Sequence, residues 1–187
     1  MILYQDFESP IGPMIGGATD QGICFLEWHD RGGVDVILNR VRKRYKTEVA
    51  PGHNDHLTSL TDELSRYFTG DLKQFRTAID ITGTSFEQVV WKQLQKIDYG
   101  RTCSYGELAA KLDKPGAARA VGRANGANYL SIVIPCHRVI EANGNLRGYG
   151  GKVWRKKYLL ELEAGVRQPH LPAEAEPGNL KTVSTVL

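Results

Sequence analysis

Apolar and polar positions follow two different periods in the first half of the chain. Alternation with a period of two predicts β-strands, and apolar residues three or four positions apart predict helices. Asp20-Gln21-Gly22 lies between two alternating segments and is typical of a hairpin loop. In chain order, the predicted strands cover 2–7, 14–18, 23–28 and 76–81, and the predicted helices cover 34–45 and 57–68.

Helical spacing dominates the second half of the chain. Thr82-Gly83-Thr84 is typical of a hinge, and Ser85 and Gln88 have the spacing of a capping box, which predicts a helix start. Ser104 and Glu107 repeat that signal. The predicted helices run from Ser85 to Tyr99-Gly100, from Ser104 to Leu112, from Ala117 to Gly126 and from Trp154 to Glu163, with a glycine-rich loop over 144–151 before the last one.

Together these elements predict an α/β (α+β) fold in two parts. We expect a small N-terminal α/β domain with an antiparallel sheet over 1–82. A mostly helical C-terminal domain that contains a helix-turn-helix is expected over 83–165. Beyond it, three prolines and few large apolar residues predict a disordered tail over 166–187.

The predicted helix-turn-helix has an unusual second helix, which consists largely of alanine and glycine. Small side chains allow the backbone of such a helix to lie close to another surface. A tight helix crossing inside a core would explain this composition equally well. Arg119 and Arg123 lie one turn apart on a shared face, and this favours DNA as the partner.

Charge is distributed unevenly along the chain, although the net charge is only +3. Residues 101–160 contain eleven Lys or Arg and three acids, a net charge of +8, whereas the remainder carries −5. Such asymmetry is expected of a protein that binds a polyanion, nucleic acid first. A solvated basic face without a partner is the alternative.

The three cysteines, Cys24, Cys103 and Cys136, are odd in number and far apart, which argues against disulfides and for a cytoplasmic protein, or a nuclear one in a eukaryote. No apolar run approaches the roughly 20 residues of a membrane span, and no nucleotide-binding loop motif is present, so neither membrane nor cofactor is expected. No metal is expected either, because the potential zinc ligands lack a motif spacing: Cys24, His29, His53 and His56.

The most informative segment, Pro135-Cys136-His137-Arg138-Val139, follows the apolar run 130–134, which predicts a buried strand. Thiolate is the reactive form of cysteine, and a neighbouring base or cation lowers its ordinary pKa of about 8.5. His137 and Arg138 could both act in this way. A small cysteine closing a core strand would produce the same pattern. The position of Cys136 inside the basic segment favours a nucleophile.

The combined motifs resemble the O⁶-alkylguanine-DNA alkyltransferase family. The resemblance covers roughly residues 1–165 and is most specific from Ser85 to Glu163. It implies DNA repair by stoichiometric transfer of an alkyl group from O⁶-alkylguanine, and O⁴-alkylthymine, to a cysteine of the protein. The residues that carry it are Tyr105, Arg119, Asn128, the segment 135–139, Tyr149 and the segment 159–163.

The resemblance assigns catalytic roles to four residues. Cys136 becomes the alkyl acceptor, and His137 takes the thiol proton through a water molecule. Glu163 holds the imidazole in the correct tautomer, and Asn128 hydrogen-bonds within this network. Tyr129 and Ser131 stand where many relatives have proline, which bears on the pocket wall and its selectivity for bulky alkyl groups.

The resemblance also implies a base pocket and a mode of DNA binding. Because the target atom lies inside a duplex, the nucleotide is flipped out, and Arg119 fills the vacated stack. An Ala/Gly-rich helix suits the minor groove, and a monomer is expected to bind double-stranded DNA there. The implied pocket residues are Tyr105, Val139, Tyr149, Gly150 and Gly151. The implied DNA-binding residues are Arg119, Tyr105, Gly106, Arg123, Ala118, Gly122 and Lys114.

Three other functions fit parts of the pattern. A damage-binding module without alkyl transfer would lack the cysteine. A cysteine hydrolase or acyltransferase usually takes its base from a distant part of the sequence and needs oxyanion donors, and it would turn over repeatedly. A DNA-binding regulator with an incidental thiol would bind undamaged DNA in a sequence-specific way.

Overall fold

The computed structural model describes residues 1–166 and 171. The predicted disordered tail, 166–187, therefore lies outside the described residues except for Val166 and Leu171. Within the described part of the chain, no helix is long and apolar enough to cross a membrane. The predicted fold class is confirmed: an N-terminal sheet with helices precedes a mostly helical part that contains a helix-turn-helix.

A four-stranded sheet forms the centre of the N-terminal part, with strand order β3-β2-β1-β4. β1 and β2, and β2 and β3, pair antiparallel, as the hairpin signal predicts, and β4 pairs parallel to β1. The strands are β1 (Ile2–Phe7), β2 (Met14–Ala18), β3 (Ile23–Trp28) and β4 (Val49–Pro51). The first three match the predicted bounds, whereas β4 is too short to show a periodic pattern.

The predicted strand over 76–81 is wrong. Only Ile79 forms a bridge there, to Ile23 of β3. The start of this segment is held by a side chain: the buried carboxylate of Glu63 accepts from the backbone N–H groups of Arg76 at 2.7 Å and Thr77 at 3.2 Å. Backbone groups that are satisfied by a carboxylate do not need a ladder partner.

Two helices cover the sheet, α1 (Val34–Tyr45) and α2 (Asp55–Phe68). Both arise from the predicted helical spacing. In α2 the buried residues Leu57, Leu60, Leu64 and Tyr67 make a single stripe, and Asn54 caps the helix by accepting from the N–H of Leu57 at 3.0 Å. Tyr67, at the end of that stripe, reaches into the second half of the molecule.

In the part of the second half that the structure describes, there are four α-helices and one small parallel strand pair. The capping box at Ser104 and Glu107 is confirmed, but the one predicted at Ser85 is shifted: Thr84 is the N-cap and Glu87 its partner. The first helix also ends earlier than predicted. The elements are α3 (Ser85–Leu94), β5 (Cys103–Ser104), α4 (Tyr105–Ala110), α5 (Ala118–Gly126), β6 (Val139–Ile140) and α6 (Val153–Glu163).

The outer edge of β3 joins the two halves of the chain. Leu26 donates its N–H to the carbonyl of Tyr129 at 2.9 Å and accepts from the N–H of Ser131 at 2.8 Å. Because β3 is the edge strand of the sheet, these bonds satisfy backbone groups that would otherwise face solvent. They also fix residues 129–131, just before Cys136, against the N-terminal sheet.

Tyr129 serves this joint and does not contribute its ring to a pocket around Cys136. Its ring packs edge-on against Trp91, with centroids 5.7 Å apart, and lies beneath the guanidinium of Arg44. Its hydroxyl accepts from the N–H of Thr82 at 2.9 Å and donates to the carbonyl of the same residue. The tyrosine therefore anchors the predicted hinge over 82–84.

We predict that Tyr129→Phe lowers the free energy of unfolding by about 1–3 kcal/mol, because the backbone groups of Thr82 lose their partner in a partly buried site. Urea denaturation of the variant and the parent measures this difference. Tyr4→Phe is the matched control, since the Tyr4 hydroxyl has no hydrogen-bond partner in the described part of the chain. Equal stability of the two variants would contradict the anchoring role.

Candidate active site and DNA-binding surface

Cys136 begins a single 3₁₀ turn, Cys136–Arg138, and its side chain is almost completely buried. The amide Nδ2 of Asn128 donates to its Sγ at 3.1 Å. The same Nδ2 donates to the carbonyl of Ile134 at 3.0 Å, and Oδ1 accepts from the N–H of Leu130 at 3.0 Å. Asn128 therefore orients the thiol and shapes the backbone that leads to it.

The predicted buried strand over 130–134 is wrong, and Asn128 is part of the reason. Ile134 donates its N–H to the carbonyl of Leu130 at 3.0 Å, and Ile132 adopts a positive φ of 69°. The apolar, β-branched run favours a strand locally. Here the Asn128 amide holds the carbonyl of Ile134, and the segment closes into a turn. That turn presents Cys136 at its end.

Burial is the largest influence on the Cys136 thiol and raises its pKa above the ordinary value. The hydrogen bond from Asn128 and the positive charges of Arg31 and Lys156 act in the opposite direction. Each of these groups stabilises the thiolate over the thiol. The site therefore keeps the thiol largely protonated at rest and contains the groups that would stabilise its anion.

His137 is completely buried beside the thiol, and its Nε2 lies 2.8 Å from Oε1 of Glu163. Burial lowers the pKa of His137, which makes the neutral imidazole the resting form. Because the carboxylate can only accept, Nε2 carries the proton and Nδ1 keeps the free lone pair. Nδ1 is buried and has no hydrogen-bond partner in the described structure. His137 is thus oriented to accept a proton at Nδ1.

Glu163 organises more than the histidine. Arg138 donates Nε to Oε2 at 2.8 Å and Nη2 to Oε1 at 2.9 Å, and Tyr67 of α2 donates its hydroxyl to Oε1 at 2.8 Å. The N–H of Gly100 donates to Oε2 at 3.1 Å. Burial alone would raise the pKa of Glu163, but the bonds from His137 and Arg138 and the guanidinium charge hold it well below its ordinary value. The carboxylate is therefore ionised in the folded protein.

Lys156 is a second buried charge on α6. Its Nζ donates to the carbonyl of Val139 at 2.6 Å and to the carbonyl of Arg147 at 3.1 Å. Burial lowers its pKa. The ammonium ties the segment after Cys136 to the glycine-rich loop over 144–151, so the loop is positioned by α6.

Three of the predicted pocket residues, Tyr149, Gly150 and Gly151, belong to this loop. Val139 is fully buried in β6, where it pairs with Cys103. The Tyr149 hydroxyl is buried without a partner in the described structure, and burial raises its pKa. A Cβ on Gly150 would come within 2.6 Å of Cζ of Arg31, and one on Gly151 would overlap the indole of Trp28. These glycines leave room for N-terminal side chains.

Tyr105 connects the pocket with the helix-turn-helix. It is the first residue of α4, and its ring lies 3.7 Å from the position of a Cβ on Gly122 of α5. Its hydroxyl lies 4.0 Å from the position of a Cβ on Gly148 in the glycine-rich loop. A Cβ at either position would make only ordinary van der Waals contact, so Tyr105 lies between α5 and the glycine-rich loop without a steric need for glycine.

The predicted DNA-binding residues lie on one contiguous element pair. α4 and α5 pack against each other, and both predicted arginines of α5, Arg119 and Arg123, are exposed. Gly106 and Lys114 are also exposed, whereas Ala118, Gly122 and Tyr105 are half-buried between the two helices. The bare surface of α5 thus carries long cationic side chains at only two positions.

Not every basic residue of segment 101–160 contributes to that surface. Arg138, Arg155 and Lys156 are buried and bind carboxylates or backbone carbonyls. Lys152 pairs with Asp30. The sequence count therefore overstates the positive charge that faces a partner.

Sequence reasoning missed Tyr67, Arg31 and Lys156 as parts of the site. A usable signal existed for Lys156, because Lys156, Leu159 and Glu163 stand at helical positions i, i+3 and i+7 and therefore share one face of α6. Tyr67 and Arg31 come from the N-terminal sheet domain and showed no local signal. The four potential zinc ligands do not lie together: Cys24 donates to Gly17, His29 lies beside Asp6, and His53 lies beside Gln5.

Comparison with known proteins gives two family matches that cover most of the chain. Residues 2–81 match the family described as 6-O-methylguanine DNA methyltransferase, ribonuclease-like domain. Residues 85–165 match 6-O-methylguanine DNA methyltransferase, DNA binding domain.

Individual relatives agree over nearly their whole length. The chain is 52% identical over 173 residues to a methylated-DNA–protein-cysteine methyltransferase of Mycolicibacterium paratuberculosis, covering 92% of this chain and 96% of the relative. It is 42% identical over 165 residues to the protein of that name from Salmonella typhimurium, with 87% and 95% covered.

Solved structures lead to the same family. The structure of Mycobacterium tuberculosis OGT in complex with DNA superimposes with a TM-score of 0.76 at 42% identity, covering 89% of this chain and 94% of the other. A methyltransferase structure from Pyrococcus kodakaraensis, 23% identical with a TM-score of 0.61, shares the fold over 87% of this chain and 99% of its own. The chain therefore belongs to the 6-O-methylguanine DNA methyltransferase family.

Proposed function

We propose that this protein repairs DNA by moving an alkyl group from O⁶ of guanine, and from O⁴ of thymine, to the sulfur of Cys136. Family membership supports DNA repair by alkyl transfer to a cysteine. The observation that carries the assignment to this residue is the buried cluster in which Asn128 donates to Sγ of Cys136 while Glu163 holds His137 with its Nδ1 free.

The chemistry is an in-line displacement at an sp³ carbon. His137 accepts the thiol proton at Nδ1 through a water molecule, and the Cys136 thiolate attacks the alkyl carbon. The carbon–sulfur bond forms while the carbon–oxygen bond breaks, and the electron pair passes to the guanine ring. The Tyr105 hydroxyl donates a hydrogen bond to the ring as this charge develops. The guanine anion then takes a proton from water and the imidazolium of His137 returns one to water, so that the net reaction exchanges the alkyl group for the thiol proton. No acyl intermediate arises, so no oxyanion hole is needed.

The buried carboxylate gives the histidine its direction. Ionised Glu163 fixes the Nε2–H tautomer and stabilises the imidazolium that forms after proton transfer. The guanidinium of Arg138 compensates the negative charge of Glu163, so the carboxylate remains ionised although it is buried. The base therefore needs no reorientation when the thiol ionises.

DNA enters through the helix-turn-helix. We propose that α5 lies in the minor groove of double-stranded DNA, that the alkylated nucleotide is flipped into the pocket beside Tyr149, and that Arg119 occupies the vacated stack. Ala118, Gly122 and Gly106 allow the backbone to approach the groove, and the exposed Lys114 and Arg123 contact phosphates.

The remaining assignments follow the same proposal. The protein acts as a monomer without a cofactor or a metal, in the cytoplasm or in a eukaryotic nucleus. Residues 1–82 form the supporting domain, and residues 83–165 form the DNA-binding and alkyl-acceptor domain.

The stoichiometry of the reaction tests the function most directly. A thioether on Cys136 has no carbonyl for water to attack, so each molecule reacts once. Incubation with excess O⁶-methylguanine duplex is expected to plateau at one methyl per protein, with the mass gain located on Cys136 by peptide mass spectrometry. Turnover beyond that plateau contradicts the proposal and supports a hydrolase.

Alkylation also alters stability. An added methyl group beside the Asn128 amide overpacks a buried site, which typically costs about 1–3 kcal/mol. The spent protein therefore melts at a lower temperature than the unreacted protein in a thermal denaturation scan. Unreacted protein incubated with undamaged duplex and then freed of DNA is the control.

Variants of the cluster separate chemistry from binding. Cys136→Ala abolishes transfer but keeps the affinity for methylated duplex, because flipping and stacking do not use the thiol. His137→Ala slows transfer through loss of thiolate, and iodoacetamide labels its Cys136 more slowly than that of the parent. Equal labelling rates in the two proteins contradict the relay.

The same relay predicts a pH dependence. Since burial raises the pKa of Cys136, the thiolate fraction increases as the pH rises toward that value, and the transfer rate increases with it. Single-turnover rates between pH 6 and 9, at saturating DNA, measure the profile. A flat profile contradicts rate control by thiol ionisation.

Arg119→Ala is expected to slow repair of a well-stacked duplex lesion more than repair of a single-stranded one, because only the duplex leaves a gap to fill. The matched control is Arg123→Ala, one turn further along α5. It weakens binding in a salt-dependent manner without changing the duplex-to-single-strand rate ratio. An equal duplex-to-single-strand rate ratio in the two variants would contradict an intercalating role for Arg119.

A further inference from the structure

Arg31 lies in the turn after β3, in the N-terminal part, yet its guanidinium reaches into the second half of the chain. Nη1 donates to the carbonyl of Asn128 at 2.8 Å, and Nη2 donates to the carbonyl of Gly126 at 3.0 Å. The side chain is only 17% exposed. A single N-terminal residue thus binds the end of α5 and the residue that contacts the reactive sulfur.

The end of α5 needs such a partner. The last carbonyls of a helix have no intrahelical donors, and the helix dipole places partial negative charge there. Ala127 follows as the C-cap and has no side-chain donor. The guanidinium of Arg31 supplies both the hydrogen bond to Gly126 and the complementary charge.

A buried carboxylate holds the guanidinium in this orientation. Oε1 of Glu27, 1% exposed, accepts from Nη1 of Arg31 at 2.7 Å, and Oε2 accepts from Arg40. Charge-assisted bonds to a planar fork are directional. Glu27 on β3 therefore orients the guanidinium of Arg31 toward the end of α5.

The opposite side of the guanidinium meets the glycine-rich loop. A Cβ on Gly150 would approach Cζ of Arg31 to 2.6 Å, so the loop backbone lies directly against the cation. Arg31 consequently contacts three parts of the site: the end of α5, the backbone at Asn128, and the loop that carries Tyr149.

Resting on the function proposed above, we propose that Arg31 is a positioning residue for alkyl transfer, which holds the Asn128 backbone so that its amide stays on the Cys136 sulfur. Asn128 Nδ2 contacts Sγ at 3.1 Å, and a shift of its backbone moves that donor directly. The hydrogen bonds of Arg31 go to Glu27, Gly126 and Asn128, and none goes to the Cys136 sulfur or to His137. Arg31 acts through Asn128 and through its positive charge near the thiol.

Single-turnover kinetics of Arg31→Gln on an O⁶-methylguanine duplex test this role. The transfer rate at saturating DNA is expected to fall about tenfold, because small displacements of a catalytic donor are costly, while the Kd for the same duplex stays near the parent value. Arg40→Gln is the matched control. It removes the other partner of Glu27 without touching Gly126 or Asn128, and it keeps the parent transfer rate.

A double variant distinguishes positioning from general stability. In an Asn128→Ala background, Arg31→Gln should slow transfer less than it does in the parent protein, because the donor that it positions is absent and only the loss of its charge remains. Additive losses contradict the proposal, as do equal losses in Arg31→Gln and Arg40→Gln that follow their melting temperatures. An Arg31→Gln variant that transfers at the parent rate also overturns it. If the parent protein itself transfers no methyl group, the proposed function fails instead.

Discussion

The buried carboxylate of Glu163 is the interaction on which the site depends. It accepts five hydrogen bonds from four residues, which lie on α2, in the loop before β5 and in the 3₁₀ turn of the reactive cysteine. An ionised group without water is stable only when its oxygens are fully bonded. A shift of α6 against α2 would remove the hydrogen bond from Tyr67 to this buried carboxylate. The hydrogen bonds that join these elements at Glu163 therefore also orient the imidazole of His137.

Asn128 connects this rigid centre to the DNA-binding surface. It follows the end of α5, and its side chain bonds to the turn over 130–134 and to the sulfur of Cys136. From the N-terminal part, Arg31 in the turn after β3 and Leu26 in β3 fix the neighbouring backbone. The N-terminal part therefore positions the backbone between the end of α5 and Cys136.

Interior charge serves the chemistry in a second way. Lys156 and Arg31 lie close enough to Cys136 to stabilise its anion, while burial opposes ionisation. A thiol that is protected at rest suits a protein that reacts once. In the helix-turn-helix, by contrast, the cations are exposed: Lys114 lies in the turn before α5, and Arg119 and Arg123 lie on α5, where phosphates can reach them.

The sequence by itself determined the first three strands, most helices and the helix-turn-helix, because period, capping boxes and turn residues are local signals. It also predicted a candidate nucleophile in the segment 135–139. Only the tertiary structure decided that the apolar run before Cys136 is a turn, since the amide of Asn128 overrides its β propensity. It alone brought Tyr67 and Arg31 to the site, because these contacts join residues roughly a hundred positions apart. The tertiary structure also distinguished buried cations, whose charge is compensated by carboxylates and carbonyls inside the protein, from exposed cations that can bind a partner. Both kinds look the same in a sequence.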